Sequence, residues 1–183
     1  MNNSIDLQTL EVRVMNFVPS CPDDVFVLEA IKEALNSAKN GSFGVGAVLV
    51  DEKTNKIVCR GQNKVFTQHR SDLHAEMDLL NTFETQNGSK SRKLLGGLTL
   101  YTSLESCPMC LCRIITSGIL KVCHAADDDR GGMVHLYHQL PVVWQEISRN
   151  RVFRKADCSE ELSKIALQVF LATADLDNTL AES

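Results

Sequence analysis

Two short segments constrain this chain most: His74-Ala75-Glu76 and Cys107-Pro108-Met109-Cys110. Together they offer one imidazole, one carboxylate and two thiols. Three of those four groups can hold a zinc ion. A catalytic zinc takes three protein ligands and keeps its fourth position open, and Cys2His is one of the known ligand sets. A fold that serves both segments must bring His74, Cys107 and Cys110 to one point and leave Glu76 beside them as a base.

The local spacing supports that convergence. Cys107 and Cys110 are three residues apart, so on the first turn of a helix their sulfurs lie on one side. Pro108 suits the first helical position, where its missing N–H costs nothing and its fixed φ is already helical. Unpaired N–H groups at a helix start carry partial positive charge, which favours the thiolate form that binds metal. His74 and Glu76, two apart, would diverge inside a helix. His74 is therefore expected at the very start of its helix, where the chain is still turning.

Each segment alone has a plainer reading. A single Cys-x-x-Cys serves as a thiol redox pair in many intracellular proteins, and His-x-Glu arises by chance at helix starts. Both precede a helical pattern and follow a strand-like run, and this joint occurrence favours zinc. A purely structural zinc site would be closed and four-coordinate. No fourth ligand is evident beside His74, Cys107 and Cys110.

His-x-Glu followed by Cys-x-x-Cys resembles the signature of the zinc-dependent cytidine deaminase superfamily. Further similar stretches are Val45-Gly46-Ala47-Val48-Leu49-Val50, Gly61-Gln62-Asn63 and Tyr101-Thr102-Ser103-Leu104-Glu105, covering roughly residues 24 to 130. The likeness is greatest to the branch of guanine deaminases, fungal-type cytosine deaminases and tRNA adenosine deaminases. It implies an α/β fold, a three-layer α-β-α sandwich on a mixed sheet of about five strands. It also implies a Zn2+ cofactor on His74, Cys107 and Cys110, with zinc hydroxide as nucleophile and Glu76 as proton shuttle. Asn63 and the backbone N–H of Ala75 are expected to hold the base.

Guanine is the substrate first expected from this resemblance, with guanine going to xanthine. The alternatives are tRNA adenosine, cytosine or another aminated heterocycle, or a non-catalytic zinc module. A homodimer acting on a small nucleobase is the implied assembly. Glu146 and one acid of Asp127-Asp128-Asp129, with Asp129 preferred, are tentative substrate contacts or second acids, beside the plainer readings of an exposed helical glutamate and a solvated charge run. The family usually has proline before the first cysteine, where this chain has Ser106 with its proline displaced to Pro108. Gly44 and His69-Arg70-Ser71-Asp72 also depart from the usual pattern near the pocket mouth.

Along the chain, the expected units are an N-terminal arm over residues 1–19, a zinc deaminase domain over 20–156 and a C-terminal helix and tail over 157–183. Leu10, Val12 and Val14 alternate with Glu11 and Arg13, which reads as a short edge strand or an arm. Ser20 and Asp23 have the spacing of a capping pair before a helix that ends near Asn40-Gly41. Phe43 to Val50 and Ile57 to Val65 read as a hairpin, whose Gly44 and Gly46 mark a bulge or the close approach of another backbone or a ligand. Gln86 to Lys93 reads as an exposed loop. Leu98–Thr102 and Leu120–Ala125 read as strands, Val152-Phe153 as a charged edge strand, and 159–174 as a final helix. Cys21, Cys59, Cys112, Cys123 and Cys158 read as core residues, and His135 and His138 as surface or semi-buried histidines.

At 183 residues and 44% hydrophobic, the chain is sized for one domain with a core. A net charge of −4 and a pI near 5.7 argue weakly against nucleic acid as a partner. No basic and apolar leader and no long apolar run is visible, so no membrane partner and a cytoplasmic location are expected. Seven cysteines without a secretory signal suggest reduced thiols.

Overall fold

The computed structural model describes residues 6–176. Five strands form one mixed sheet in the order β2-β1-β3-β4-β5, with β1 at Gly46–Asp51, β2 at Lys56–Gln62, β3 at Leu98–Leu104, β4 at Lys121–Ala126 and β5 at Val152–Lys155. β1 runs antiparallel to both β2 and β3, whereas β3, β4 and β5 are parallel. The ends of β2, β3 and β4 and the start of β1 therefore lie along one edge of the sheet. Open α/β sheets bind ligands beyond the carboxyl ends of their strands.

Side chains alternate between the two faces of a strand, and both faces here are apolar. Val48, Val50, Tyr101, Cys123 and Ala125 face one layer, made of α1 (Leu7–Asn16), α2 (Asp24–Lys39) and α7 (Glu160–Leu171). Ala47, Leu49, Leu98, Leu100 and Val122 face the other, made of α3 (Ala75–Asn87), α4 (Ser91–Leu95) and α5 (Pro108–Ser117). This is the expected three-layer sandwich. α6 (Val142–Ser148) packs on the outer side of α5 through Trp144 against a cluster of Leu111, Ile115, Val134 and Leu140.

Gly46 lies where α2 crosses β1. A Cβ there would run into the Ala30 carbonyl and the Ala34 amide, so close approach of another backbone is the reason for this glycine. The hairpin is confirmed, with a register shift between Leu49 and Val50.

Three local expectations are corrected. Residues 7–16 form a helix, not a strand: Asp6 caps it by accepting from the amides of Gln8 and Thr9, and Leu10 and Val14, four apart, are buried while Val12 is exposed. Ser20 and Asp23 do not cap α2 reciprocally. Instead the Asp24 carboxylate accepts from the amides of Ser20 and Cys21 at 2.8 and 2.9 Å. The polar stretch after α3 is ordered into a single 3-10 turn, Gly88–Lys90, and α4, because Gly88 turns the chain at φ 53° and Leu95 is fully buried.

β5 is an edge strand, as expected. Its Arg154 donates to Asp23, and Lys155 pairs with Asp127. Among the described residues, no helix is long and apolar enough to cross a membrane.

Candidate active site

The site forms where α3 and α5 begin. His74 precedes α3 with extended backbone, φ −67° and ψ 164°, so its side chain turns toward the same point as that of Glu76 in the first helical turn. Cys107 has the same role for α5, φ −69° and ψ 170°, with Pro108 in the first turn and Cys110 one turn in. The ligating atoms of His74, Cys107 and Cys110 all lie within 4.8 Å of one another.

The spacing fits zinc. With Zn–S near 2.3 Å and Zn–N near 2.0–2.1 Å, a tetrahedral site places sulfur and nitrogen ligands about 3.6 Å apart. His74 Nδ1 and Cys107 Sγ are 3.6 Å apart. Without metal, sulfhydryl donation from Cys110 and the nearby His74 imidazole hold the Cys107 thiol down at about 4. Cys110 is pushed up by its contact with the Cys107 thiolate and by burial. A zinc ion held here would displace the proton that the pair retains.

Glu76 is 3% exposed, and desolvation raises its pKa while a hydrogen bond from Ser106 opposes the rise. A buried carboxylate that holds a proton more readily than usual suits a group that must both take and return one. It lines a cavity of about 190 Å³ with His74, Cys107, Asn63, Phe43 and Phe170. Ligand pockets for drug-sized molecules run to about 300–1,000 Å³. This one is sized for a single heterocycle.

Asn63 sits at the end of β2 and is nearly buried. Its Oδ1 accepts from Ser42 Oγ at 2.7 Å and from the Val65 amide at 3.1 Å, and its own amide donates to the Val45 carbonyl at 2.9 Å. Turn residue and pocket residue are thus the same residue. The side-chain oxygen makes the turn, and Nδ2 has no protein partner among the described residues. Ala75 is fully buried, and its N–H belongs to the first turn of α3, where amides lack an intrahelical acceptor.

The two tentative acids lie elsewhere. Glu146 is exposed on α6, outside the lining of the cavity. Asp129 is exposed at the tip of its loop, and it is Asp128 that lines the cavity. The loop's turn decides this: Asp128 Oδ1 accepts from the amides of Arg130 and Gly131, which folds Asp128 inward and leaves Asp129 outside.

Three contributors were not singled out by sequence. Glu105, 4% exposed, ties the loop after β4 to the site: it accepts from the Asp128 amide at 3.0 Å and from both the amide and Nδ1 of His135 at 2.8 Å. A Cβ on Gly132 would lie 2.5 Å from that carboxylate, so only glycine fits there. Phe43 and Phe170 face each other across 6.4 Å between ring centroids, with Phe66 4.9 Å from Phe43. An apolar residue on a helix face carries no sign of which cavity it will line.

All seven cysteines are free. Cys59 and Cys123 are buried as expected, while Cys21, Cys112 and Cys158 are only half-buried.

Residues 21–126 match the sequence profile of the cytidine and deoxycytidylate deaminase zinc-binding region, more than half of the chain. The chain belongs to this family. The zinc site of this deaminase-family chain is thus supported by both ligand geometry and descent. Among its relatives, the tRNA-specific adenosine deaminase of Bacillus subtilis (strain 168) is 38% identical over 110 residues, 60% of this chain and 65% of the relative. The chloroplastic tRNA(adenine(34)) deaminase of Arabidopsis thaliana is 38% identical over 99 residues, 53% of this chain and 7% of that protein. The chain thus spans less than two thirds of the length of either.

Two solved structures share the fold. A tRNA:A34 deaminase studied for A-to-I editing at the wobble position has a TM-score of 0.66 at 22% identity, covering 79% of this chain and 98% of that one. The guanine deaminase of Nitrosomonas europaea has a TM-score of 0.63 at 18% identity, covering 95% and 98%.

Proposed function

We propose that the chain is a hydrolytic deaminase of a purine, and that the purine is adenosine presented by a transfer RNA. The observation that carries the reaction type is the nearly buried Glu76 carboxylate beside three converging zinc ligands, in a cavity that admits one heterocycle. The choice of adenosine rests on the relatives. Both sequence relatives described above are tRNA deaminases, which moves weight away from guanine, the substrate first expected.

His74, Cys107 and Cys110 would hold the zinc, which would supply an activated water by lowering its pKa from about 15.7 toward 7. Glu76 accepts the proton that the attacking water gives up and delivers it to a ring nitrogen. A C–O bond forms at the amino-bearing carbon. Glu76, again deprotonated, takes the second proton from the new C–OH group and hands it to the amine as the C–N bond breaks and C=O forms, so water and adenosine become inosine and ammonia. Asn63 Nδ2 donates to the base, the Ala75 N–H adds a second donor, and Phe43 and Phe170 give the cavity an apolar wall. A base from a polynucleotide must be turned out of its stack to enter such a pocket, at a cost of a few kcal/mol that is least for an unpaired base.

Free guanine is the second reading, because the guanine deaminase structure covers 95% of this chain against 79% for the tRNA deaminase structure. The test is ammonia release by the zinc-loaded protein from tRNA, guanine, adenine and cytosine, with inosine measured in the digested tRNA. Inosine with equimolar ammonia supports the tRNA reading. Release from guanine alone replaces it with the second, and silence on all four overturns the purine assignment.

A further inference from the structure

Ser106 lies between the end of β3 and the ligand Cys107, and it is 1% exposed. Its Oγ is 2.7 Å from Glu76 Oε1. An ionised carboxylate only accepts, so the hydroxyl is the donor. Its backbone is held as well: the Ser106 carbonyl accepts from the Met133 amide at 2.9 Å, and the neighbouring Glu105 is bonded to Asp128 and His135. A donor fixed in place on this scaffold meets one oxygen of a buried acid, whose carboxylate also contacts the Cys110 sulfhydryl and lines the cavity. Alanine or proline at this position offers no such donor.

We propose that Ser106 is a positioning residue for the proton transfers: its hydroxyl anchors Glu76 in the orientation from which the carboxylate reaches both water and the purine. The inference rests on the deaminase reading above. It makes the residue that departs from the usual family proline a working part of the site.

A hydrogen bond to a charged group, lost from a group that acts in every turnover, is expected to lower kcat by about 10- to 100-fold. The experiment compares zinc-loaded wild type, Ser106→Ala and Ser106→Thr, using whichever substrate the wild type deaminates, with zinc content and thermal melting measured alongside. The expected result for Ser106→Ala is one zinc per chain, a melting temperature close to wild type, unchanged KM and a kcat reduced within that range. Ser106→Thr, which keeps the hydroxyl, is expected to recover most of the lost kcat.

A Ser106→Ala protein within twofold of wild-type kcat overturns the inference alone. So does a kcat loss that comes with lost zinc or a collapsed melting temperature, because the residue would then be structural. Should threonine prove too large for the site, the cycle of Glu76→Ala, Ser106→Ala and the double variant decides. Non-additive effects on unfolding free energy support the contact, and additivity overturns it. Wild-type silence on every substrate overturns the deaminase reading, and this inference with it.

Discussion

Replacing Asp24 by alanine should loosen the helix that carries Phe170 into the cavity. Asp24 is fully buried and joins three chain segments: its carboxylate accepts from the amides of Ser20 and Cys21, from the Ser159 amide at 2.7 Å and from the Ser159 hydroxyl at 2.5 Å. Ser159 precedes α7, so this carboxylate pins the start of α7 to the start of α2. Alanine leaves three amides without their acceptor. Ser20 is exposed and Cys21 half-buried, so water can satisfy part of the deficit, and the Ser159 hydroxyl can turn to Ser20 Oγ, 3.3 Å away.

About two charge-assisted bonds are then lost in full, at roughly 1.5 kcal/mol each, giving a destabilisation of about 3 kcal/mol. For a chain of this size that is a fall in melting temperature of about 6–12 °C. Acid should act the same way. Burial alone would raise the Asp24 pKa, but the Ser159 hydroxyl and amide, with the amides of Ser20 and Cys21, bring it down to about 2. A depressed carboxylate contributes stability that is complete above its unfolded pKa, near 3.9, and is lost as pH falls through the folded value. The alanine variant should therefore show a flatter stability profile between about pH 4 and pH 2. Denaturant unfolding of both proteins across that range is the assay. A loss under 1 kcal/mol at neutral pH, or parallel acid profiles, would refute the clamp.

Two further expectations concern the site. Asn63→Asp keeps an acceptor for Ser42 Oγ and the Val65 amide but loses the Nδ2 donor, so it should stay folded and zinc-bound while kcat/KM falls by about 10- to 100-fold; unchanged kcat/KM would remove Asn63 from base recognition. Chelation should abolish turnover reversibly and lower stability, because the three ligands tie the starts of α3 and α5 together. At zinc concentrations 1,000-fold above Kd the stabilisation is about 4 kcal/mol, and coincident melting curves with and without metal would contradict a folded-state zinc site.

The convergence of Cys107 and Cys110 was legible in the sequence because its geometry is local. Pro108 marks the start of α5, and a three-residue spacing places both sulfurs on one side of that start whatever the rest of the chain does. The sheet was legible where strands are apolar on both faces, as in β1 and β3. Residues 7–16 were misread because Leu10, Val12 and Val14 satisfy an alternating pattern over so short a run, while the helical pair Leu10 and Val14 is contained within it. Asp129 was preferred over Asp128 because which acid of a run turns inward depends on the amides of Arg130 and Gly131. Glu105, Ser106 and Phe170 act through partners 23 to 30 residues away or from a different layer. Their roles exist only once the sheet has brought those segments together.

The proposed deamination stands or falls on proton transfer by Glu76. The direct measurement is ammonia released per minute by wild type and by Glu76→Ala at matched zinc content, on the substrate the wild type accepts. Equal zinc, equal fold and a rate lower by about 10² to 10⁴ are expected of the variant. Turnover by Glu76→Ala within a few-fold of wild type would contradict proton transfer by Glu76.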